Sequence, residues 1–288
     1  MNPLELVKLP ALMEHTSGRP EIVVGVIDGP VALNHPDLAD GHRREVPEMG
    51  SAACAQTDNM ACLHGTFVAG ILFARRGSNA PAICPGCTLL AYPIFSETAG
   101  SGSELPSAKP QELARAILAC IAAGARILNV SAAIAQTASR DERELEEALD
   151  HAARRGVIVA AAAGNQGTLG SSAVTRHPWV IPVIGCDLQG RPTAESNLGS
   201  SIGRRGLGAP GDRVTSLGAE GEPVTLGGTS AAVPFVTGAI ALLWSEFPDT
   251  TTAEVKMSVT RTSARRNTVV PPVLDAWAAY RTLATTHS

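Results

Sequence analysis

Five short apolar runs, rich in β-branched residues and spaced by segments of helical periodicity, constrain this chain more than any other feature. They cover residues 21–27 (EIVVGVI), 88–94 (TLLAYPI), 126–130 (RILNV), 157–162 (VIVAAA) and 179–184 (WVIPVI). Strands that are continuously apolar, rather than alternating, are buried on both faces, as in a parallel sheet. The intervening segments 64–76, 111–123, 141–155, 230–247 and 252–260 read as the covering helices. The expected fold class is therefore α/β, a three-layer arrangement with a mostly parallel central sheet and helices on both faces. Aromatic residues make up only 3% of the 288, so the core must be built from Ala, Val, Leu and Ile. No break rich in Pro, Gly and Ser is long enough to divide the chain, and 100–110 (GSGSELPSAKP) reads as an exposed loop within one domain. Within that domain, residues 1–20 form a helical extension, 21–248 the core and 249–288 the C-terminal helices.

In open parallel sheets, ligands gather at the carboxyl ends of the strands. Asp28 follows the run 21–27, Ser131 follows 126–130, and Asn165 follows 157–162 after a Gly-containing turn. Three polar residues at three strand ends can converge on one site.

Two further segments supply reactive groups. Ser230, in Gly228-Thr229-Ser230-Ala231-Ala232-Val233-Pro234, opens an apolar helix. Its backbone N–H is unpaired there and faces a positive dipole end, so a serine attacking a carbonyl can steady the oxyanion it creates. Pro234 is expected in the first turn of that helix, where a missing N–H does no harm. His64, in His64-Gly65-Thr66-Phe67-Val68-Ala69-Gly70, also reads as a helix start; a neutral imidazole beside serine can accept its proton. Asp28 ends a buried run, and its carboxylate needs a partner such as a histidine N–H. Asn165 could donate its amide N–H to the oxyanion beside that of Ser230. Each piece alone is ordinary: an N-cap serine, a surface histidine, a strand-end aspartate. Four of them at strand ends and helix starts are not.

From about residue 21 to 248 the chain resembles the subtilisin family of serine proteases. The resemblance rests on the HGTxVAG run at His64 and the GTSxAxP run at Ser230. Supporting it are Leu33-Asn34-His35-Pro36-Asp37-Leu38, Ala163-Gly164-Asn165, Ser196-Asn197, Ala209-Pro210-Gly211 and the order Asp, His, Asn, Ser. It implies a subtilisin-like fold and peptide-bond hydrolysis through an acyl-enzyme, with Asp28, His64 and Ser230 as the triad and Asn165 with the Ser230 N–H as the oxyanion hole. It also implies a substrate strand at Ser131, Ala132 and Ala133, and substrate pockets lined by that strand and by Ala162, Ala163 and Gly164. Ala133 in place of the family's glycine should crowd the S1 entrance and favour small P1 residues. Gly29 replaces the small hydroxyl residue that in the family supports the aspartate, and Ala231 replaces a methionine. The segments Asp28-Gly29-Pro30-Val31, Pro93-Ile94-Phe95-Ser96-Glu97 and Leu113-Ala114-Arg115-Ala116-Ile117 look like protease domains that mature cyanobactins and related ribosomal peptides. Members that cyclise their product carry a helical cap, whereas this chain has only short extra loops at 40–61 and 97–110. The expectation is hydrolysis of a precursor peptide, with general degradation or a silent peptide-binding scaffold as the alternatives.

Composition excludes some classes. A net charge of −4, a pI near 6.0 and dispersed arginine pairs (Arg75-Arg76, Arg154-Arg155, Arg204-Arg205, Arg265-Arg266), read as solvated helix ends, do not describe a nucleic-acid binder. No apolar stretch is long enough to span a bilayer and no signal peptide is evident, so a cytoplasmic location is expected. The apolar residues of the first fifteen read as one short helix lying on the body. Cys84-Pro85-Gly86-Cys87 has half the spacing of a zinc knuckle, but no second pair follows. The loops show no Asp/Asn-rich ladder either, so no cofactor and no obligatory metal, calcium included, is expected. Cys54 and Cys62 bracket a polar loop and are placed to form a disulfide; Cys120 and Cys186 read as inert core thiols.

Overall fold

The computed structural model describes residues 2–47, 51–95, 108–131, 139–260 and 268–287. Six strands form a wholly parallel sheet in the order β2-β1-β3-β4-β5-β6: β1 (Val23–Asp28), β2 (Thr88–Pro93), β3 (Ile127–Val130), β4 (Ile158–Ala162), β5 (Ile181–Cys186) and β6 (Leu207–Pro210). Successive side chains of each strand feed two different cores. Val24 and Val26 face one layer, made by α3 (Met60–Phe73) and α8 (Thr229–Glu246). Val23 and Ile27 face the other, made by α4 (Pro110–Ala122) and α5 (Ser139–Arg154). This two-sided burial is the physical reason the strands are apolar at every position. The expected three-layer α/β architecture is the one observed.

The two central helices are buried around nearly their whole circumference. They fit because small residues meet neighbours closely: a Cβ on Gly70 would lie 2.5 Å from Ser216 Oγ, and one on Gly238 would lie 2.6 Å from the Ile83 side chain. Shorter pieces complete the domain. They are α1 (Pro3–Leu6) and α2 (Leu9–His15), α6 (Ala173–Arg176), α7 (Ser200–Arg205), the hairpin β7 (Val214–Leu217)–β8 (Pro223–Leu226), α9 (Thr252–Thr260) and α10 (Ala276–Thr286). Both sheet edges are covered. Backbone 42–44 pairs with Leu89 of β2, and 272–274 with Gly208 of β6, which removes the open ladders that invite aggregation.

Several expectations are corrected. The N-terminal segment is two helices, not one, because Lys8 adopts a left-handed backbone between them (φ 54°). α3 starts one turn earlier than expected, capped by the Asn59 side chain, so His64 is its fifth residue and not its start. Pro234 sits in the second turn of α8, where its ring leaves the Ser230 carbonyl without an intrahelical donor. Two of the arginines read as solvated instead tie backbone together. Arg76 donates to the carbonyls of Met13, Thr16 and Ile83, and Arg205 to those of Thr175 and Arg176. The Cys54–Cys62 disulfide is formed, with Cα atoms 5.6 Å apart. Cys84, Cys87, Cys120 and Cys186 are buried free thiols; burial pushes Cys120 and Cys186 up to about 12, which keeps them protonated and unreactive.

Candidate active site

The chain runs from β1 to β2 on one side of β1 and places β3 on the other, so the crevice at the carboxyl ends of β1 and β3 is a topological switch point. Asp28 is the last residue of β1 and is fully buried. Across the crevice, α3 presents His64 and α8 presents Ser230 as its second residue; they are only 6% and 8% exposed.

The three side chains form one line of hydrogen bonds. With the carboxylate as acceptor, His64 Nδ1–H donates to Asp28 Oδ1 over 2.6 Å. That fixes the tautomer, so Nε2 is left to accept from Ser230 Oγ–H over 2.9 Å. Asp28 Oδ1 also accepts from the Gly29 N–H at 2.6 Å, while Oδ2 is buried without a partner among the described residues. The family's hydroxyl at position 29 would supply such a partner, but this backbone has no room for it. A Cβ on Gly29 would stand 1.9 Å from the Ala61 carbonyl oxygen, and one on Gly65 would stand 2.3 Å from the Pro30 oxygen. The loop after β1 is pressed against α3, and this close approach brings Asp28 to His64.

Asn165 is held by its oxygen. Thr229 donates to Asn165 Oδ1 twice, from its backbone N–H at 2.8 Å and its hydroxyl at 2.9 Å. A backbone N–H can only donate, so the amide orientation is fixed and Nδ2 is left as a free donor among the described residues. The Thr229 hydroxyl also accepts from the Gly164 N–H at 3.2 Å. Ser230 N–H lies in the first turn of α8, where it has no intrahelical acceptor. Two donors, Asn165 Nδ2 and Ser230 N–H, are thus left without an acceptor at the start of α8 among the described residues.

Of the residues expected to bind substrate, Ser131 caps β3 with its hydroxyl accepting from Asn129 Nδ2 at 2.8 Å. Ala132 and Ala133 lie outside the described residues, as do 97–107 of the expected 97–110 loop. Ala162 ends β4. Ala163 and Gly164 follow with their main chain already engaged: Ala163 N–H donates to Val183 O, and Asn197 donates to Ala163 O and Gly164 O. They can line a pocket but cannot pair with a peptide backbone through those groups. Gly164 is left-handed (φ 105°), and a Cβ there would meet Asn197 Nδ2 at 2.3 Å.

Sequence reasoning missed three supporting groups. Thr229 was visible only as the middle letter of the GTS run. Asn197 holds the turn after Asn165, accepting from Gln166 N–H, Thr168 N–H and Thr168 Oγ–H through one oxygen. Asn129, fully buried, links Ser131 to the serine helix by accepting from Thr237 Oγ–H at 3.0 Å. The available signal was a polar residue inside an apolar strand (Ile127-Leu128-Asn129-Val130) and another inside an apolar helix. The described residues hold no group of three or more His, Cys, Asp or Glu placed to share a metal ion.

A serine hydrogen-bonded to an aspartate-oriented histidine, with two unpaired donors beside it, can take up a carbonyl carbon and hold the oxyanion that results. Comparison with known proteins agrees with that chemistry. Subtilisin amylosacchariticus of Bacillus subtilis subsp. amylosacchariticus is 30% identical over 256 residues, 87% of this chain; the match spans 62% of the relative's own length. Among solved structures, Prenylagaramide maturation protease PagA superposes with a TM-score of 0.80 at 30% identity, over 96% of this chain and 98% of that one. The PatG macrocyclase in complex with peptide superposes at 0.84 over 98% of both chains but at 20% identity, a likeness of fold alone. The sequence model of the Subtilase family matches residues 19–276, and the chain belongs to that family.

Proposed function

We propose that this protein is a serine endopeptidase in which Asp28, His64 and Ser230 are the catalytic triad and Asn165 Nδ2 with Ser230 N–H forms the oxyanion hole. The observation that carries the reading is the continuous Asp28–His64–Ser230 line, at 2.6 and 2.9 Å, beside an Asn165 amide anchored by its oxygen. Ser230 Oγ bonds to the scissile carbonyl carbon as its proton passes to His64 Nε2, and the carbonyl electrons move onto the oxygen between the two donors. Collapse of that intermediate breaks the C–N bond; the amine leaves with the proton from Nε2, and a water repeats the sequence to free the acid. Asp28 stabilises the imidazolium without itself taking the proton. No metal or cofactor enters these steps.

The substrate we assign is a precursor peptide from which a leader or follower is removed. This is supported by the 30% identity to PagA, a maturation protease, over nearly the full length of both chains. Ser131, Ala132 and Ala133 are assigned to the substrate backbone, and Ala162, Ala163 and Gly164 to its pockets, as the likeness to the family implies. Mass spectrometry of a precursor-type peptide incubated with wild type and with Ser230→Ala tests the proposal. Linear fragments that together contain one added water, made only by the wild type, are expected. An intact peptide, or the same fragments from the variant, would overturn the reading.

A further inference from the structure

Far from the active site, at the amino end of β5, a cavity of about 330 Å³ lies between that strand, the end of α7 and one face of α9. Arg204, Arg205 and Lys256 line it with Trp179 and Met257, and among the described residues no carboxylate does. Among the described residues none of the three cations makes an ion pair, although six other Lys and Arg side chains do. Glu142 and Glu146 are engaged with Arg176, Asp150 with His177, and Glu254, two residues before Lys256, with Thr251. Lys256 lies with its ammonium 4.0 Å from the centre of the Trp179 ring, and Arg205 is fixed by its two bonds to the Thr175 and Arg176 carbonyls. Lys256 and Arg205 are therefore positioned by the fold, while Arg204 is exposed at the rim and donates from Nε to the Ser200 carbonyl.

Such a cluster is costly when empty. Burial, with Arg205 adding repulsion, pushes the Lys256 ammonium down to about 8. Burial also lowers the Arg205 guanidinium, whose Nε–H is buried without a partner among the described residues. An anion in the cavity would relieve both. The apolar wall narrows the kind of anion. Trp179 and Met257 offer nothing to a free inorganic ion, which needs polar contact all round. A glutamate or aspartate side chain presents a carboxylate on an apolar stem and suits both halves of the cavity.

We infer that this cavity is an exosite for an acidic segment of the polypeptide substrate, with Arg204, Arg205 and Lys256 binding its carboxylates and Trp179 and Met257 its stems. The inference rests on the peptidase reading and adds a second point of substrate contact. Because the sheet is parallel, the cavity and the active site lie at opposite strand ends, roughly 20 Å apart for a six-residue strand at about 3.3 Å per residue. A substrate must extend well beyond the residues in the active site to reach both. Long substrates with an acidic segment gain from the tether through effective concentration, and short ones do not.

Fluorescence anisotropy with a labelled peptide alternating Glu and Leu, and with its Gln-for-Glu counterpart, tests binding without any cleavage. The Glu peptide should bind wild type and lose at least tenfold in affinity in Lys256→Met and in Arg205→Gln; the Gln peptide should bind weakly to all. Ala253, exposed on the cavity's rim, provides a variant that does not disturb the packing: Ala253→Glu should abolish binding while melting no lower than wild type. In kinetics, these variants should raise KM for a long acidic substrate and leave a short neutral peptide unaffected. Equal binding of both peptides, unchanged affinity in Ala253→Glu, or displacement of the peptide by inorganic phosphate at lower concentration than the peptide itself requires would overturn the exosite. Binding that persists in a protein whose Ser230 is unreactive would keep the exosite and defeat the peptidase reading instead.

Discussion

Thr229→Val is the most informative single change, because it is nearly isosteric and touches neither the triad nor the substrate directly. The substitution deletes the hydroxyl's bond to Asn165 Oδ1 (2.9 Å) and leaves the Gly164 N–H (3.2 Å) without its acceptor, in a residue only 1% exposed. A neutral hydrogen bond contributes about 0.5–1.5 kcal/mol net, and a buried donor left unpaired costs about 1–3 kcal/mol. Gly164 is only half-buried, which puts its donor at the low end of that range, so together these predict a loss of about 1.5–2.5 kcal/mol, lowering Tm by roughly 3–10 °C in a domain of this size. The Asn165 amide keeps its other anchor, the Thr229 backbone N–H at 2.8 Å. The kcat loss should therefore be about tenfold, smaller than the roughly 10²–10³-fold cost typical of removing an oxyanion donor outright, as in Asn165→Ala. KM should change little, because the oxyanion exists only in the transition state. Thr229→Ser keeps the hydroxyl and should restore most of both. Thermal melts and steady-state kinetics on the three variants supply the comparison. A Thr229→Val protein with native kcat and native Tm, or a Thr229→Ser protein as damaged as the valine variant, would refute the argument that this hydroxyl fixes the oxyanion donor.

Other perturbations probe other joints of the site. Gly29→Ser, which writes the family's usual residue type into this chain, should destabilise by about 1–3 kcal/mol because its Cβ meets the Ala61 carbonyl at 1.9 Å; a thermal melt matching wild type, with raised activity, would show that the loop yields easily. Opening the Cys54–Cys62 disulfide releases a loop of eight residues' separation and should cost about 2.5 kcal/mol on chain-entropy grounds, read as a lower Tm in reductant. A Tm indifferent to reductant would mean that the bond contributes nothing to folding. The Lys256→Met variant should be more stable than wild type at pH 7. Its advantage should shrink as pH rises from about 8 toward the unfolded lysine range of about 10.5, because there the wild-type native state binds fewer protons than the unfolded state and gains stability with pH. A stability difference that stays flat across that window would contradict the uncompensated cation. Chelation should leave Tm unchanged, and a fall of many degrees would reveal a metal that the fold depends on.

The parts of this molecule legible in the sequence are those where burial left no choice. The first five strands are sandwiched between two helical layers, so apolar residues fill both of their faces and their ends could be placed within about two residues. β6 escaped notice because Leu207-Gly208-Ala209-Pro210 has neither β-branched residues nor alternation; it is a strand by position, paired to β5 on one side and to 272–274 on the other. The start of α3 was misplaced because the Asn59 cap lies inside a stretch that reads as polar loop, and only the disulfide and the cap bond show the helix beginning there. At the site, Asp28, His64 and Ser230, which the structure joins in one line of hydrogen bonds, could be singled out because each stands in a run whose residue types the proposed chemistry demands. The supporting roles of Thr229, Asn197 and Asn129 were not legible, although the first two stand in the quoted GTS and Ser-Asn motifs, because a hydroxyl or amide that satisfies a neighbouring backbone resembles any other polar residue until the neighbour is known. The exosite was invisible for the same reason. Trp179, Arg205 and Lys256 come from three separate elements, and nothing local announces that they meet.

The central claim is that Ser230 is an activated nucleophile, driven by His64 and Asp28. Mass spectrometry after reaction with a fluorophosphonate tests it most directly, on wild type, Ser230→Ala and His64→Ala. The account predicts a single adduct on Ser230 of the wild type, none in Ser230→Ala, and a rate lowered by orders of magnitude in His64→Ala. A well-folded wild type that stays unmodified, or a His64→Ala protein labelled as fast as wild type, would contradict it.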